Sequence, residues 1–342
     1  MKMTSMDIEG LKLVDLEEVA QVERLKQFLQ EQGVEKPEFM TSGHMNLSWQ
    51  GEFQGREVVC QFGPNLSTYQ LSLSEIKSYG YFNPGKYEKA QLICQATLEA
   101  GIPCPSILKA GYAGTLSRSW CIAEKAEGED LDKIWKQLPR STKLSLGHQI
   151  GGKIANIHSI NPDVYGQNPI SPQAWYRGWF KQVFANLSAL GIYQPQELEK
   201  IKESIVPQFL AENMPPFLTT IHGDILQKNI FVKKDPKEYK VSSIIDWETA
   251  GLGNPWADVI LAAWWISDEY GGDNKLYEAV IGGYNEVISG GALALSLNRS
   301  RTMRPYIDLW WYLNILWVRP LMGDFSQVER RRKMVEKVME EL

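Results

Sequence analysis

An α+β chain of two unequal lobes is what this sequence predicts, with a small β-rich lobe over 1–125 and a larger, mostly helical lobe over 126–342. Three observations carry that expectation. Two short runs of β-formers, SGHMNLSWQGEF at 42–53 and REVVCQF at 56–62, flank Gln54-Gly55 and read as a hairpin. From about Leu131 onward apolar residues recur mostly at helical spacing. Between these patterns, at Glu124 to Gly128, the composition shifts.

In order along the chain, Leu16 to Gln32 carries apolar residues at Val19, Val22, Leu25, Phe28 and Leu29, a helical stripe that Gly33 is placed to stop. The hairpin follows. Tyr87 to Ala100 reads as a helix closed by Gly101, Pro103 and Pro105, and strands are expected at 106–110 and 119–124. Helices are then expected at 142–159, 173–189, 195–212, 256–269, 275–289, 299–318 and 326–342, interrupted by one hairpin, NIFVKK and KVSSIID, around the turn signal Asp235-Pro236.

With 342 residues, 44% hydrophobic and 23% charged, the composition is that of an ordinary globular protein, and a net charge of −5 without a large basic block argues against a nucleic-acid partner. Cys60, Cys94, Cys104 and Cys121 are scattered, so neither a zinc site nor a disulfide framework is indicated. The N-terminal stretch turns acidic where a signal peptide would turn apolar. The most apolar run, WADVILAAWWI at 256–266, is too short to span a bilayer and contains Asp258. The expectation is a cytoplasmic protein without a membrane partner.

The segment HGDILQKN at 222–229 places a histidine, an aspartate, a lysine and an asparagine in eight positions. If the hairpin that follows folds back around Lys237 and Glu238, Asp246 comes to face Asn229, and Asp224 joins them at one end of the ribbon. Two carboxylates and an amide oxygen in one place repel unless a cation neutralises them. A hard divalent ion such as Mg²⁺ suits oxygen ligands and keeps positions for water and phosphate.

HGD, the asparagine five residues after its aspartate, and the hairpin ending in IIDWE resemble the aminoglycoside phosphotransferase and choline kinase-like group, a small-molecule branch of the protein-kinase fold. GIPCP at 101–105, IAEKAEGEDL at 122–131 and GLGNPWAD at 251–258 are similar to further elements of that family. The resemblance implies a protein-kinase-like bilobal fold and transfer of the ATP (or GTP) γ-phosphate to a small-molecule hydroxyl. It implies that Asp224 is the catalytic base and that Asn229 and Asp246 hold Mg²⁺. Glu124, Lys125 and Ala126 would line the adenine with their backbone, Phe231 and Ile245 would form the apolar floor beneath it, and Asn46 would sit in the nucleotide-positioning hairpin.

One position departs from the family. Where relatives carry a Lys or Arg that grips the α and β phosphates, this chain has Gln61, which can hydrogen-bond but brings no charge. Glu88 is the nearest candidate for the acidic partner on the following helix, and Lys77, Lys86 or Lys89 could supply the missing cation. The alternative is a degenerate, kinase-like ligand-binding protein without turnover. Only WETAGLGNPWAD separates Asp246 from the next apolar helix, too little for a long activation loop, so a small hydroxylated acceptor is expected: an amino sugar, an amino alcohol or an antibiotic-like molecule. Asp268 and Glu269 are candidates to attract a cationic acceptor. Trp264, Trp265, Trp310, Trp311 and Trp317 could stack a sugar or cage a quaternary ammonium, but their helical spacing favours core packing.

Overall fold

The computed structural model describes residues 19–42, 46–67, 82–167, 170–212, 214–236, 238–268, 273–321 and 325–342. The chain forms two compact units, 1–128 together with 242–250, and 129–241 together with 251–342.

The first unit is built on a five-stranded antiparallel sheet of order β1-β2-β3-β5-β4. Its strands are β1 (Glu35–Ser42), β2 (Leu47–Phe53), β3 (Arg56–Phe62), β4 (Ile107–Ala113) and β5 (Arg118–Glu124), with helix α1 (Val19–Glu31) before them and α2 (Lys86–Glu99) between β3 and β4. The β2–β3 hairpin forms as expected. Gln54 and Gly55 both have positive φ, 50° and 75°, the two-residue turn whose twist matches that of the flanking strands. β1 was not legible because Pro37 and two register shifts break its alternation, and its place at the sheet edge tolerates both. Val22, Leu25 and Leu29 of α1 pack on Trp49, Val58, Cys60, Phe62 and Ile122, so the period-2 pattern of β3 buries one face against a helix. On β3 the positions Val59 and Gln61, half-buried, alternate with that core.

The segment 242–250 completes the first unit. Ile244 N–H donates to Pro103 O at 2.9 Å, and Ser242 Oγ donates to Glu127 O at 2.6 Å. The first unit thus takes its last residues, 242–250, from beyond the segment 222–229.

The second unit carries a sheet of order β6-β8-β9, from β6 (Glu129–Asp130), β8 (Ile230–Lys234) and β9 (Tyr239–Ile244), whose last residues run on into the first unit. The turn between β8 and β9 is closed by reciprocal bonds, Asp235 N–H to Glu238 O at 2.8 Å and Glu238 N–H to Asp235 O at 3.2 Å. A second small ribbon pairs β7 (Thr219–Ile221) with β10 (Gly251–Gly253). A side chain at Gly253 would bring its Cβ within 2.3 Å of Ile221 Cδ1, which is why that strand is glycine-bounded.

Around these ribbons stand α3 (Leu131–Trp135), α4 (Arg140–His158), α5 (Pro172–Ala189), α6 (Pro195–Ser204), α7 (Val206–Glu212), α8 (Pro255–Asp268), α9 (Asn274–Ile288), α10 (Leu297–Leu321) and α11 (Val328–Glu341). The single helix expected over 195–212 is two, divided at Ile205, because Pro207 has no N–H to continue the ladder. Helices α4 and α9 approach closely through Gly151 and Gly283, where an added Cβ would lie 2.0 Å from Val280 O and 1.9 Å from His148 O. Trp264 and Trp265 of α8 meet Trp311 of α10 edge-on, with centroids 6.3 and 5.6 Å apart; all three are half-buried, and of the tryptophans expected in the core Trp317 is the one that is buried.

Candidate active site

The second unit contributes a loop held almost entirely by buried polar groups. Strand β7 delivers His222, and Gly223 turns the chain with φ +84°, a conformation that glycine adopts without strain. Asp258, on the first turn of α8, aims its carboxylate back at this turn: Oδ2 accepts from His222 N–H at 3.1 Å and Oδ1 from Gly223 N–H at 2.9 Å. His158 completes the brace, with Nε2 3.2 Å from Asp258 Oδ2 and Nδ1 3.2 Å from the Tyr284 hydroxyl.

Burial by itself pushes the Asp258 carboxyl up. The His158 hydrogen bond and charge and the Gly223 N–H outweigh it and hold the group below the ordinary aspartate value. One lone charge inside WADVILAAWWI was the sequence signal for this brace, since a carboxylate survives in an apolar helix only with dedicated partners.

Asp224 follows. Its N–H donates to His222 Nδ1 at 3.2 Å, which fixes that nitrogen as an acceptor and puts the ring proton on Nε2. Asn229, buried at the end of a 3-10 turn over Gln227–Asn229, donates Nδ2 to both Asp224 O at 2.8 Å and Asp224 Oδ2 at 2.9 Å. The structure thus brings Asp224 and Asn229 together. With its amide nitrogen engaged on Asp224, Asn229 has Oδ1 as the atom suited to a cation.

The first unit supplies the other half of the predicted set. Asp246 lies just beyond β9 with φ +69°, a left-handed conformation that aspartate tolerates better than most residues. Two residues on, Glu248 is buried and pairs with Lys86 at the start of α2, whose ammonium is fully buried and also donates to Asn46 Oδ1 at 3.1 Å. Gln61 has the Cys121 thiol 3.9 Å from its Oε1. Glu88, in the first turn of α2, is exposed, so the buried charge on that turn is a lysine rather than a glutamate. Lys77 lies outside the described residues, as do Glu269 and residues 43–45; Asp268 is the last residue of α8.

Along the segment expected at the adenine, Glu124 pairs with Arg56 at 2.6 Å and Lys125 with Glu57 at 3.4 Å. Their backbone N–H groups donate to Ser106 O and Glu57 O, at 2.9 and 3.1 Å. A cleft of about 380 Å³ adjoins this segment, lined among others by Pro103, Cys104, Glu124, Lys125, Ala126 and Ser243. Ile245, just past β9, is half-buried in the first unit; Phe231 is half-buried in the second and pairs with Asp130 across the β6–β8 ladder.

A model of the phosphotransferase enzyme family matches residues 84–292, more than half of the chain and the stretch that holds every element from α2 to α9. The chain belongs to that family. Solved structures similar to this phosphotransferase share its protein-kinase-like α+β fold at low identity. The GDP and kanamycin complex of the aminoglycoside phosphotransferase APH(2")-IIia aligns with a TM-score of 0.65 at 11% identity, over 95% of this chain and 99% of that one. The macrolide 2'-phosphotransferase MphH of Brachybacterium faecium aligns with a TM-score of 0.58 at 14% identity, over 93% and 98%. A thermostable aminoglycoside phosphotransferase APH(4)-Ia in complex with ADP and hygromycin B gives 0.56 at 18% identity, over 92% and 98%.

Among curated proteins, the probable acyl-CoA dehydrogenase IBR3 of Arabidopsis thaliana is 31% identical over 117 residues, 31% of this chain and 13% of that much longer protein. The phosphotransferase therefore spans only a small part of that relative's length. Among the described residues no helix is long and apolar enough to cross a membrane.

Proposed function

We propose that this phosphotransferase is a Mg²⁺-dependent kinase that moves the γ-phosphoryl group of ATP, or of GTP, to a hydroxyl of a small molecule such as an amino sugar, an amino alcohol or an antibiotic-like compound. The observation that carries the reading is the Asp224–Asn229 clamp at 2.9 Å, on a loop whose backbone is fixed by the buried Asp258. A carboxylate so positioned serves as proton acceptor for the attacking hydroxyl. The acceptor oxygen bonds to the γ-phosphorus, the bond from that phosphorus to the β–γ bridging oxygen breaks, nucleoside diphosphate leaves, and the hydroxyl proton passes to Asp224.

Asn229 Oδ1 and the Asp246 carboxylate are the oxygens we assign to Mg²⁺. One amide and one carboxylate suit an ion that fills its other positions with water and phosphate. When bound, the ion neutralises charge on the transferring group. Because the N–H groups of Glu124 and Lys125 are already engaged, adenine recognition falls to the Ala126 N–H and the Glu124 carbonyl. Similar structures bear GDP with kanamycin, ADP with hygromycin B, and AMP-PNP with hygromycin B, which supports a nucleotide donor and a small acceptor.

The test is a screen of small hydroxylated acceptors with ATP or GTP and Mg²⁺, read by mass spectrometry for a phosphate-sized gain. Product formed by the wild type and lost by about 10²-fold or more in Asp224→Ala supports the kinase. A second reading, a ligand-binding protein without turnover, is favoured by the neutral Gln61. It expects nucleotide-dependent thermal stabilisation with no product from any acceptor.

A further inference from the structure

Gln61 leaves the phosphate-binding face of the first unit without the cation that phosphoryl transfer needs, and the same unit holds a buried lysine that the fold must have a reason to keep. Lys86 has no water contact, yet its ammonium is met by one carboxylate, Glu248, and one neutral oxygen, Asn46 Oδ1. Nothing else about α2 calls for a charge there: Tyr87, Ala90, Ile93 and Cys94 on the same helix are buried as well, an apolar face into which lysine fits poorly.

The surroundings place this ammonium beside the position that Gln61 vacates. Cys121, which touches Gln61, feels the positive charge of Lys86. Burial first, then the charges of Glu248, Cys121 and Asp246, push the phenol of the adjacent Tyr87 up, so Asp246 belongs to the same electrostatic neighbourhood. A Cβ on Gly63, just past β3, would lie 3.1 Å from Lys86 Nζ, so β3 runs directly past it. Lys89, the other candidate, is lowered to about 8 by burial and then by the Lys86 charge, and the ion pair with Glu248 and the bond to Asn46 are made by Lys86.

We propose that Lys86, delivered by the helix after β3 rather than by β3 itself, supplies the positive charge that holds the nucleotide's phosphates, with Glu248 as its anchoring carboxylate and Asn46 as the neutral group a phosphate oxygen displaces. The assignment rests on the phosphotransferase reading above. An ammonium has three donors; Glu248 keeps one, and the donor now on Asn46 is released with the third to the incoming anion. A cation already stripped of water and fixed in direction undergoes no further desolvation of its own when phosphate arrives, which favours the contact. Glu248, two residues after Asp246, ties the phosphate-holding charge to the segment that bears the metal carboxylate.

The experiment measures the Kd of Mg·ATP and Mg·GTP by calorimetry, and melting without nucleotide, for the wild type, Lys86→Met, Lys86→Met/Glu248→Gln, Gln61→Lys, Lys86→Met/Gln61→Lys and Lys86→Met/Glu248→Gln/Gln61→Lys. The double variant with Glu248→Gln removes both charges together, so it stays folded if a lone buried carboxylate unfolds Lys86→Met. Loss of one charge-assisted phosphate contact weakens binding about 10- to 100-fold in the variants lacking Lys86. Lys86→Met/Gln61→Lys, with a charge restored from β3, regains affinity to within a few-fold of the wild type. A folded Lys86→Met/Glu248→Gln that binds as tightly as the wild type overturns the assignment. So does a loss of affinity that Gln61→Lys fails to repair when added to the folded Lys86→Met/Glu248→Gln, which is the signature of a purely structural ion pair. No binding of either nucleotide by the folded wild type sinks the phosphotransferase reading itself, and this proposal with it.

Discussion

At the scale of single residues, Asp258 sets the geometry of the HGD loop through the loop's backbone. Its carboxylate accepts two consecutive backbone N–H groups and a histidine, and neither asparagine nor leucine reproduces that. Because its folded-state pKa lies below the unfolded value, the stabilisation is complete above the ordinary carboxylate range and is lost as pH falls through the depressed value. Asp258→Asn is expected to cost about 3 kcal/mol and to flatten the acid limb of a plot of melting temperature against pH, measured by circular dichroism. Equal acid sensitivity in wild type and variant would disprove this account. Asp224 and Asn229 were legible because they are five residues apart on one loop; Asp258, thirty-odd residues on, showed only as a charge out of place, about as far as a single chain can reveal a distant partner.

At the scale of elements, the α4–α9 crossing is decided by two glycines. Gly283→Ala forces a Cβ against the His148 carbonyl and is expected to destabilise by about 3 kcal/mol, as overpacking does. Gly282→Ala, next to it on the exposed face with open space around its Cβ, is expected to stabilise by about 0.5 kcal/mol through the helix propensity of alanine. Chemical denaturation of the two variants measures both, and the same sign for the pair would refute the crossing as the cause. Helix periodicity located α2, α4, α5 and α8 to within a few residues. The β7–β10 ribbon escaped notice because each strand is three residues long, too short for any alternation, and its pairing links residues some thirty positions apart.

At the scale of the whole molecule, the first unit is discontinuous in sequence. Ile244 and Glu248, from the returning 242–250 segment, satisfy Pro103 O and the buried Lys86. A fragment 1–128 leaves that ammonium in an apolar interior without its carboxylate, and is expected to show little cooperative unfolding by circular dichroism. The same fragment with 242–250 appended through a Gly/Ser linker is expected to regain it. Recovery by 1–128 alone would show that the return is dispensable. For the complete chain, Mg·ATP at a hundred times its Kd is expected to stabilise by about 2.7 kcal/mol, and chelation of Mg²⁺ to cancel most of that gain in a thermal melt.

From the linear chain alone came whatever depends on neighbours along it: helix stripes, turn signals, and the spacing HGD, then Asn229, then IIDWE, because hydrogen bonding and side-chain period act over a few residues. Tertiary structure alone decided which buried charges meet. Lys86 and Glu248 are 162 positions apart, His158 and Asp258 a hundred, and no local propensity records such a pairing. An ion pair in a low-dielectric interior is fixed by which surfaces pack together, and that choice is made by the folded chain as a whole.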